Sequence, residues 1–372
     1  MTKFDLTYAT VDSLSEGVGS SQIVPLMEKL SKSGLKINLM TFEKLEPPNS
    51  LVSRMKRANV NWVQIPFGSQ GPLGAFARTY KLARLMPQSS ITHARSDFPA
   101  VAARMSSQEK ILWDVRSLWA DQRKFIEENP TKRFLLSAYY PFESLACSSA
   151  MALSTLTKAV IPILEERHKN LPILRTVVPT AVDLRRFKFS PEMPTKFRGL
   201  YSGTYNNYYD LELSRKFLEE LIKVIDCEVS WAKPREAYSK ILNAGERSSF
   251  TVTQPEMADV MRDFTFGISI CKEDAGASLL AAMPTKIAEF LAIGRPVIVN
   301  AGLGDCDDLI KNSKAGLVIG KGDNLRKKAF ELIDLCNDPE TPGACRDLAE
   351  KHFSLESGAN RYLSTYSQMS QL

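Results

Sequence analysis

Lys286 and Glu289 stand three residues apart in the run Pro284-Thr285-Lys286-Ile287-Ala288-Glu289-Phe290-Leu291-Ala292-Ile293-Gly294-Arg295-Pro296-Val297-Ile298-Val299. Pro284 suits the first helical position, and Ile287, Phe290 and Leu291 recur on one helical face. Gly294 and Pro296 then punctuate before the β-branched run, so the stretch reads as a short helix feeding a buried parallel strand. A helix start leaves N–H groups unpaired and carries partial positive charge. Lys286 falls inside that first turn, so a phosphate would be held by both. With Glu289 one turn deeper on the same face, the pair could grip a nucleoside diphosphate and, beyond it, a ribose diol. The same spacing also fits a solvated surface pair worth roughly 0.3 kcal/mol.

The elements that would position such residues alternate along the chain. Phe4 to Ala9 reads as a first strand, and Ser13-Leu14-Ser15-Glu16-Gly17-Val18-Gly19-Ser20-Ser21-Gln22 leads from it into a helix. The small residues and capping serines let a backbone pass close to a ligand, or simply make a tight turn; the spacing is not the dinucleotide Gly-x-Gly-x-x-Gly. Apolar runs at Leu35–Phe42, Val60–Pro66, Ile91–Ala94 and Ile111–Val115 are separated by helical patterns, which implies parallel crossovers and a sheet covered on both faces. Ligands bind beyond the carboxyl ends of such strands. Two polar clusters fall there, His93-Ala94-Arg95-Ser96-Asp97 and Asp114-Val115-Arg116. His93 could orient an acceptor hydroxyl or be a satisfied structural histidine beside a helix-capping Asp97; Asp114 and Arg116 could serve a substrate or pair with each other. After Pro191 and Pro194 the alternation resumes at Leu200–Ser202, Cys227–Trp231, Ser249–Thr253, Phe264–Cys271, Val297–Asn300 and Gly316–Ile319.

With 372 residues the chain is too long for one ordinary core, and two domains are expected. A hydrophobic fraction of 44% with 24% charged residues is that of a soluble globular protein, and no apolar run is long enough to cross a bilayer. The start enters a strand-like pattern with no cleavable hydrophobic segment, so the cytosol is the expected location. Six scattered cysteines without a Cys-x-x-Cys pair argue against a zinc site or a disulfide framework. The net charge of +6 favours acidic partners. Residues 121–142 interleave Arg123, Lys124, Lys132 and Arg133 with Phe125, Phe134, Leu135, Tyr139 and Tyr140, which suits an anionic lipid surface, although Phe134–Leu145 also fits a half-buried helix whose apolar residues are core. Arg78, Lys81 and Arg84 offer a second basic helix face, for lipid or for water.

The run from Pro284 to Val299 resembles the nucleotide-sugar site of retaining glycosyltransferases of family 4, whose signature pairs two glutamates across seven residues. Glu289 matches the second, which binds the donor's ribose; the first would fall at Ala281. The resemblance implies an α/β chain of GT-B fold, two Rossmann-like domains with parallel sheets facing a central cleft. It divides the chain into an acceptor domain at 1–185, a donor domain at 186–354 and a helix at 355–372 that returns to the first domain. It makes Gly17, Gly19, Gly203, Thr204, Gln254, Glu256, Ser278, Thr285, Lys286 and Glu289 donor-binding candidates, and His93, Asp114 and Arg116 catalytic candidates at the acceptor. The arginine and lysine that usually follow the glycine turn are absent after Gly203. Glu273 or Asp274 could stand in for the missing glutamate, or belong to an acidic loop far from substrate.

These features imply a hexosyltransferase-type, retaining, metal-independent enzyme. Its expected partners are a nucleotide-sugar donor, a saccharide or lipid-linked saccharide acceptor and an anionic membrane surface, with no cofactor, no metal and no nucleic acid. Two other readings share the architecture. A nucleotide-sugar 2-epimerase needs several catalytic carboxylates and histidines, against three histidines here, with His168 and His352 expected on surface helices. A non-catalytic, glycosyltransferase-like partner subunit fits Ala281 and the missing phosphate bases.

Overall fold

The computed structural model describes residues 4–233, 246, 248–253 and 256–372. The chain divides into two compact units: unit 1 comprises Met1–Lys124, Asn129–Pro179 and Leu355–Leu372, and unit 2 comprises Phe125–Glu128 and Thr180–Ser354.

Unit 1 is built on seven strands, β1 (Phe4–Ala9), β2 (Ile37–Glu43), β3 (Val60–Pro66), β4 (Ser89–Arg95), β5 (Ile111–Val115), β6 (Ala152–Thr155) and β7 (Leu174–Val177). They pair in parallel in the order β3-β2-β1-β4-β5-β6-β7. Crossover helices cover both faces, which is why β2 and β5 are buried along their whole length. β7 had no counterpart in the sequence pattern, because Leu-Arg-Thr-Val is a half-buried edge strand with no continuous apolar run. The C-terminal helix Leu355–Gln371 packs on this unit: Arg361 donates to Val177 O at 2.7 Å and Lys110 to Met369 O at 2.8 Å.

Unit 2 holds six parallel strands, β8 (Arg198–Ser202), β9 (Glu228–Lys233), β10 (Ser248–Thr251), β11 (Phe266–Ser269), β12 (Val297–Asn300) and β13 (Gly316–Ile319), in the order β10-β9-β8-β11-β12-β13. In both sheets the chain first winds one way and then returns to the centre to wind the other way. That reversal leaves a crevice beyond the carboxyl ends of β1 and β4 in unit 1, and of β8 and β11 in unit 2.

Two sequence expectations are corrected here. Residues 134–145 are not one half-buried helix: they break into Pro130–Leu135, a 3-10 turn Leu136–Tyr139 and a new helix Tyr140–Ser149, leaving Phe134 and Leu135 77% and 54% exposed. His168 is not on a surface helix face either; it ends the helix Ile161–Arg167 and its Nε2 lies 2.9 Å from the buried Glu143 carboxylate.

The run from Pro284 to Val299 forms helix Thr285–Ile293 followed by β12. Phe290 packs against β11, where Gly267 leaves room: a Cβ there would sit 2.1 Å from the Phe290 ring. Gly294 ends the helix at φ +92°, the left-handed cap that favours glycine. The next residue, Arg295, is 1% exposed. Its guanidinium donates to the carbonyls of Phe264, Ser190, Glu192 and Arg262 at 2.9 to 3.1 Å, and to Ser190 Oγ at 3.2 Å. Burial pulls its pKa down, and the ring of carbonyl dipoles replaces the lost water. Arg295→Lys keeps the charge but cannot span this fork. It is expected to destabilise unit 2 by about 2 to 4 kcal/mol, since hydrogen bonds to charged groups contribute about 1.5 to 3 each and several are lost. Urea unfolding followed by tryptophan fluorescence checks this.

Candidate functional site

In unit 2 the crevice beyond β8 and β11 gathers the charged pair that opened the sequence reading. β8 runs into Gly203 at φ +86°, whose carbonyl accepts from Trp231 Nε1 at 2.8 Å. Thr204 is exposed beside it, and the chain then turns through Tyr205, Tyr208 and Tyr209. Asp210 accepts from Leu213 N at 2.9 Å and so starts the helix Leu211–Ile222. Tyr209 also bridges to Cys271 just past β11. These anchors fix the tyrosines on the mouth of helix Thr285–Ile293.

Lys286 sits in the first turn of that helix and is 8% exposed; Glu289, one turn on, is 7% exposed. Neither is a solvated surface residue. The Lys286 Nζ lies 3.6 Å from the centre of the Tyr205 ring and 4.3 Å from that of Tyr209, and it has no hydrogen-bond partner. Burial pulls the Lys286 pKa down to about 7, against smaller opposing effects of Cys271 and Glu289. Burial likewise pushes Glu289 up to about 7, with Arg186 and then Lys286 opposing. The Cys271 thiol, driven up to about 12 by burial, stays neutral and supplies no counter-charge.

The remaining donor candidates are dispersed over unit 2. Thr285 begins the same helix, half-buried. Ser278 is buried and its Oγ donates to Ala275 O at 2.8 Å. Glu256 is exposed and its carboxylate accepts from Thr253 N at 2.8 Å, a local turn contact. Gln254 lies outside the described residues. Glu273 accepts from Lys321 N at 3.1 Å and so ties two loops together. Ala281, where the resemblance would put a carboxylate, is 1% exposed. A cavity of about 540 Å³ borders Tyr209 and Asp274 and does not include Lys286 or Glu289 in its lining. Its three lysines, Lys216, Lys272 and Lys321, are matched by Asp210, Glu212 and Asp274, with Lys216 and Glu212 2.7 Å apart, and none of them is a buried amine without a hydrogen-bond partner as Lys286 is.

Unit 1 brings His93, Asp114 and Arg116 together at the carboxyl ends of β4 and β5, turned into the interior. Asp114 Oδ1 accepts from Ser154 Oγ at 2.7 Å and from Tyr362 Oη at 3.2 Å. His93 Nε2 lies 3.2 Å from Asp114 Oδ2, within ion-pair distance yet misaligned for a hydrogen bond. His93 Nδ1 lies 2.6 Å from Tyr366 Oη, and Arg116 Nη1 donates to Val178 O and Tyr362 Oη at 3.1 Å. Burial works against an ionised Asp114, but Arg116, His93 and Arg95 outweigh it and hold the carboxyl well below the usual range. Burial keeps His93 low, hence neutral at pH 7. Asp97, expected to cap a helix, instead accepts from Trp113 Nε1 at 3.1 Å.

The loop after β1 is held from below by Glu43, a buried carboxylate that accepts from Ser13 Oγ at 2.5 Å, Leu14 N at 3.0 Å and Thr41 Oγ1 at 2.6 Å. Gly17 adopts φ +51°, and a Cβ on Gly19 would fall 1.8 Å from Ser13 O, so both glycines are required by the backbone of the loop itself.

Sequence reasoning missed Tyr205, Tyr209, Tyr362, Tyr366 and Glu43. Three tyrosines within five residues after a glycine turn were a visible signal, but nothing in their spacing tied them to a lysine some eighty residues away.

No protein-family profile matches the chain, and no curated protein matches it in sequence. Solved structures do match it in shape. Sucrose-phosphate synthase from Thermosynechococcus elongatus superposes with a TM-score of 0.70 at 14% identity over 98% of both chains. A glycosyltransferase from Rickettsia africae gives 0.68 at 14% identity, again over 98% of both chains. Anabaena HepE, solved in complex with UDP-glucose, gives 0.68 at 10% identity over 98% of this chain and all (100%) of the other. At such identities the shared property is architecture: this chain has the GT-B fold of these glycosyltransferases, two Rossmann-like α/β units each built on a parallel sheet.

Proposed function

We propose that this chain is a glycosyltransferase that takes a hexose from a nucleoside diphosphate sugar held by unit 2 and passes it, with retention and without a bound metal, to a saccharide or lipid-linked saccharide bound by unit 1. The observation that carries the reading is the buried Lys286 amine, without a hydrogen-bond partner, in the first turn of a helix at the crevice of unit 2, with Glu289 one turn deeper. A diphosphate supplies the anion that this position lacks, and a ribose diol supplies donors for Glu289. Anabaena HepE was solved with UDP-glucose, which supports a uridine diphosphate sugar as the donor.

In the reaction the bond between the sugar's anomeric carbon and the β-phosphate oxygen breaks, and its electron pair stays on the phosphate. Lys286 and the helix N–H groups take up that developing charge. Ala281 offers no carboxylate, so no covalent intermediate is formed there. The acceptor hydroxyl enters on the face the phosphate leaves and gives its proton to a phosphate oxygen as the new carbon–oxygen bond forms. His93 and Asp114, both buried, and the partly buried Arg116 act at one remove as positioning residues that fasten helix Leu355–Gln371 beneath the carboxyl ends of β4 and β5.

Unit 1 also carries the surface that supports a lipid-borne acceptor and a peripheral, cytoplasmic-face location. Leu73, Phe76 and Tyr80 are 87%, 62% and 53% exposed on helix Gly71–Leu85 beside exposed Lys81 and Arg84, and Phe134 and Leu135 lie exposed beside Lys132 and Arg133. Arg78 is spent differently, stacked 4.0 Å from the Phe67 ring and donating to Ser69 O at 2.6 Å.

Calorimetry is expected to show UDP binding to the wild-type chain and at least tenfold weaker binding in Glu289→Ala, a loss of about 1.4 kcal/mol or more; equal affinity in the variant removes Glu289 from the site, and transfer abolished by a chelator overturns the metal-free route. Asp114→Asn should lower the melting temperature at pH 7. The folded pKa of Asp114 lies below its unfolded value, so its contribution is present above about pH 4 and fades as pH falls further, and the gap between variant and wild type should close there; a gap independent of pH contradicts the positioning role. Vesicles rich in phosphatidylserine should retain the protein at low salt and release it as salt rises. Phe134→Ser with Leu135→Ser should weaken that retention at least tenfold, and indifference to both salt and substitution leaves the surface merely solvated.

A further inference from the structure

Lys286 is the strongest anomaly among the described residues. An amine taken out of water needs an anion, a hydrogen-bond acceptor or the loss of its proton. Its Nζ has no acceptor, and what faces it is named readily: the rings of Tyr205 and Tyr209 from the turn after β8, the Cys271 thiol after β11, and Glu289 on its own helix with Arg186 beyond. Neither tyrosine hydroxyl is hydrogen-bonded to Nζ. Tyr205 Oη donates to Ile268 O at 2.6 Å, which turns the ring face to the amine, and the Tyr209 backbone is fixed by its β-bridge to Cys271. The ring centres are 4.3 Å apart at 45°, so the two rings form one continuous aromatic surface against which Nζ lies. Ring faces favour a cation over nothing, yet by about 2 kcal/mol when desolvated, less than the several kcal/mol that removal of a charge from water costs.

We infer that Tyr205 and Tyr209 are positioning residues that store Lys286 as a neutral amine in the empty site, so that binding of a nucleoside diphosphate draws a proton from solvent onto Nζ. This rests on the donor-site reading above. The diphosphate is the missing anion; once it lies against Nζ the charged form is favoured, and the amine binds the proton it lacked. Cys271 and both tyrosines are neutral near pH 8 without ligand, since burial pushes each of them up; Glu289 is also pushed up by burial, and the Lys286→Arg variant separates a proton taken by Lys286 from one taken by Glu289. At that pH a terminal phosphate has also lost its second proton, so the proton gained comes to rest on Lys286.

The experiment is calorimetry of UDP binding at pH 8 in HEPES and in Tris, buffers whose heats of ionisation differ widely. Wild-type protein should show an observed heat that depends on buffer, corresponding to uptake approaching about one proton per UDP, and affinity falling about tenfold from pH 8 to pH 9. Lys286→Arg carries a guanidinium that keeps its proton, so it should bind UDP with no dependence on buffer. Tyr209→Leu, which opens one wall to water, should reduce the uptake, while Tyr209→Phe, which keeps the wall, should not. UDP binding by the wild type with the same heat in both buffers overturns the inference and leaves the donor site standing. No heat with UDP, GDP or ADP overturns the donor-site reading, and the inference falls with it.

Discussion

Removing a charge from water without giving it a partner is the constraint around which unit 2 is arranged. Three of the buried charged residues, Arg295, Asp114 and Lys286, meet that cost in three ways. Arg295 is surrounded by carbonyl oxygens, so its guanidinium keeps its charge and ties the segment before β8 to the strand edge at Phe264. Asp114 is surrounded by cations and hydroxyls and stays ionised. Lys286 alone is faced by aromatic carbon, with its amine unanswered. The first two are finished arrangements whose partners lie within the fold; the third is the one an incoming anion would complete.

The placement of that amine follows from topology. Parallel strands joined by crossovers leave their carboxyl ends free, and the reversal between β8 and β11 opens the sheet there. Helix Thr285–Ile293 can begin at that mouth because Phe290 packs tightly over Gly267 and Gly294 turns the chain back into β12. The same logic in unit 1 puts the Glu43-held loop and the His93–Asp114 cluster at the reversal between β1 and β4. There the crevice side is served by backbone and the charged groups are used to hold the C-terminal helix.

Much of this was legible in the sequence where one physical cause acts alone. The alternation of buried runs and helical patterns showed two parallel sheets, and the Pro-Thr-Lys helix with its glycine stop and strand was placed to within a residue, because apolar periodicity and cap chemistry are local. Local signals fail where the partner is distant. Nothing near His93 in the chain says that Tyr362 and Tyr366 will enclose it, and residues 134–145 read as one amphipathic helix because their apolar spacing ignores the break at Leu136. Edge strand β7, with no buried run, was invisible for the same reason.

A turn after Gly203 that presents tyrosines to Lys286 would change how the site does its chemistry. Permanent cations would carry their charge in the unoccupied site as well as in the occupied one. An amine held against two rings, and carrying its full charge when an anion is beside it, would tie its electrostatic contribution to occupancy of the site. The aromatic walls keep the local dielectric low, so the interaction, once formed, is stronger than the same pair in water. Binding strength is thereby traded for response, since some of the affinity goes into recharging the amine. The charge that results sits at the mouth of helix Thr285–Ile293, where the leaving oxygen's negative charge would develop.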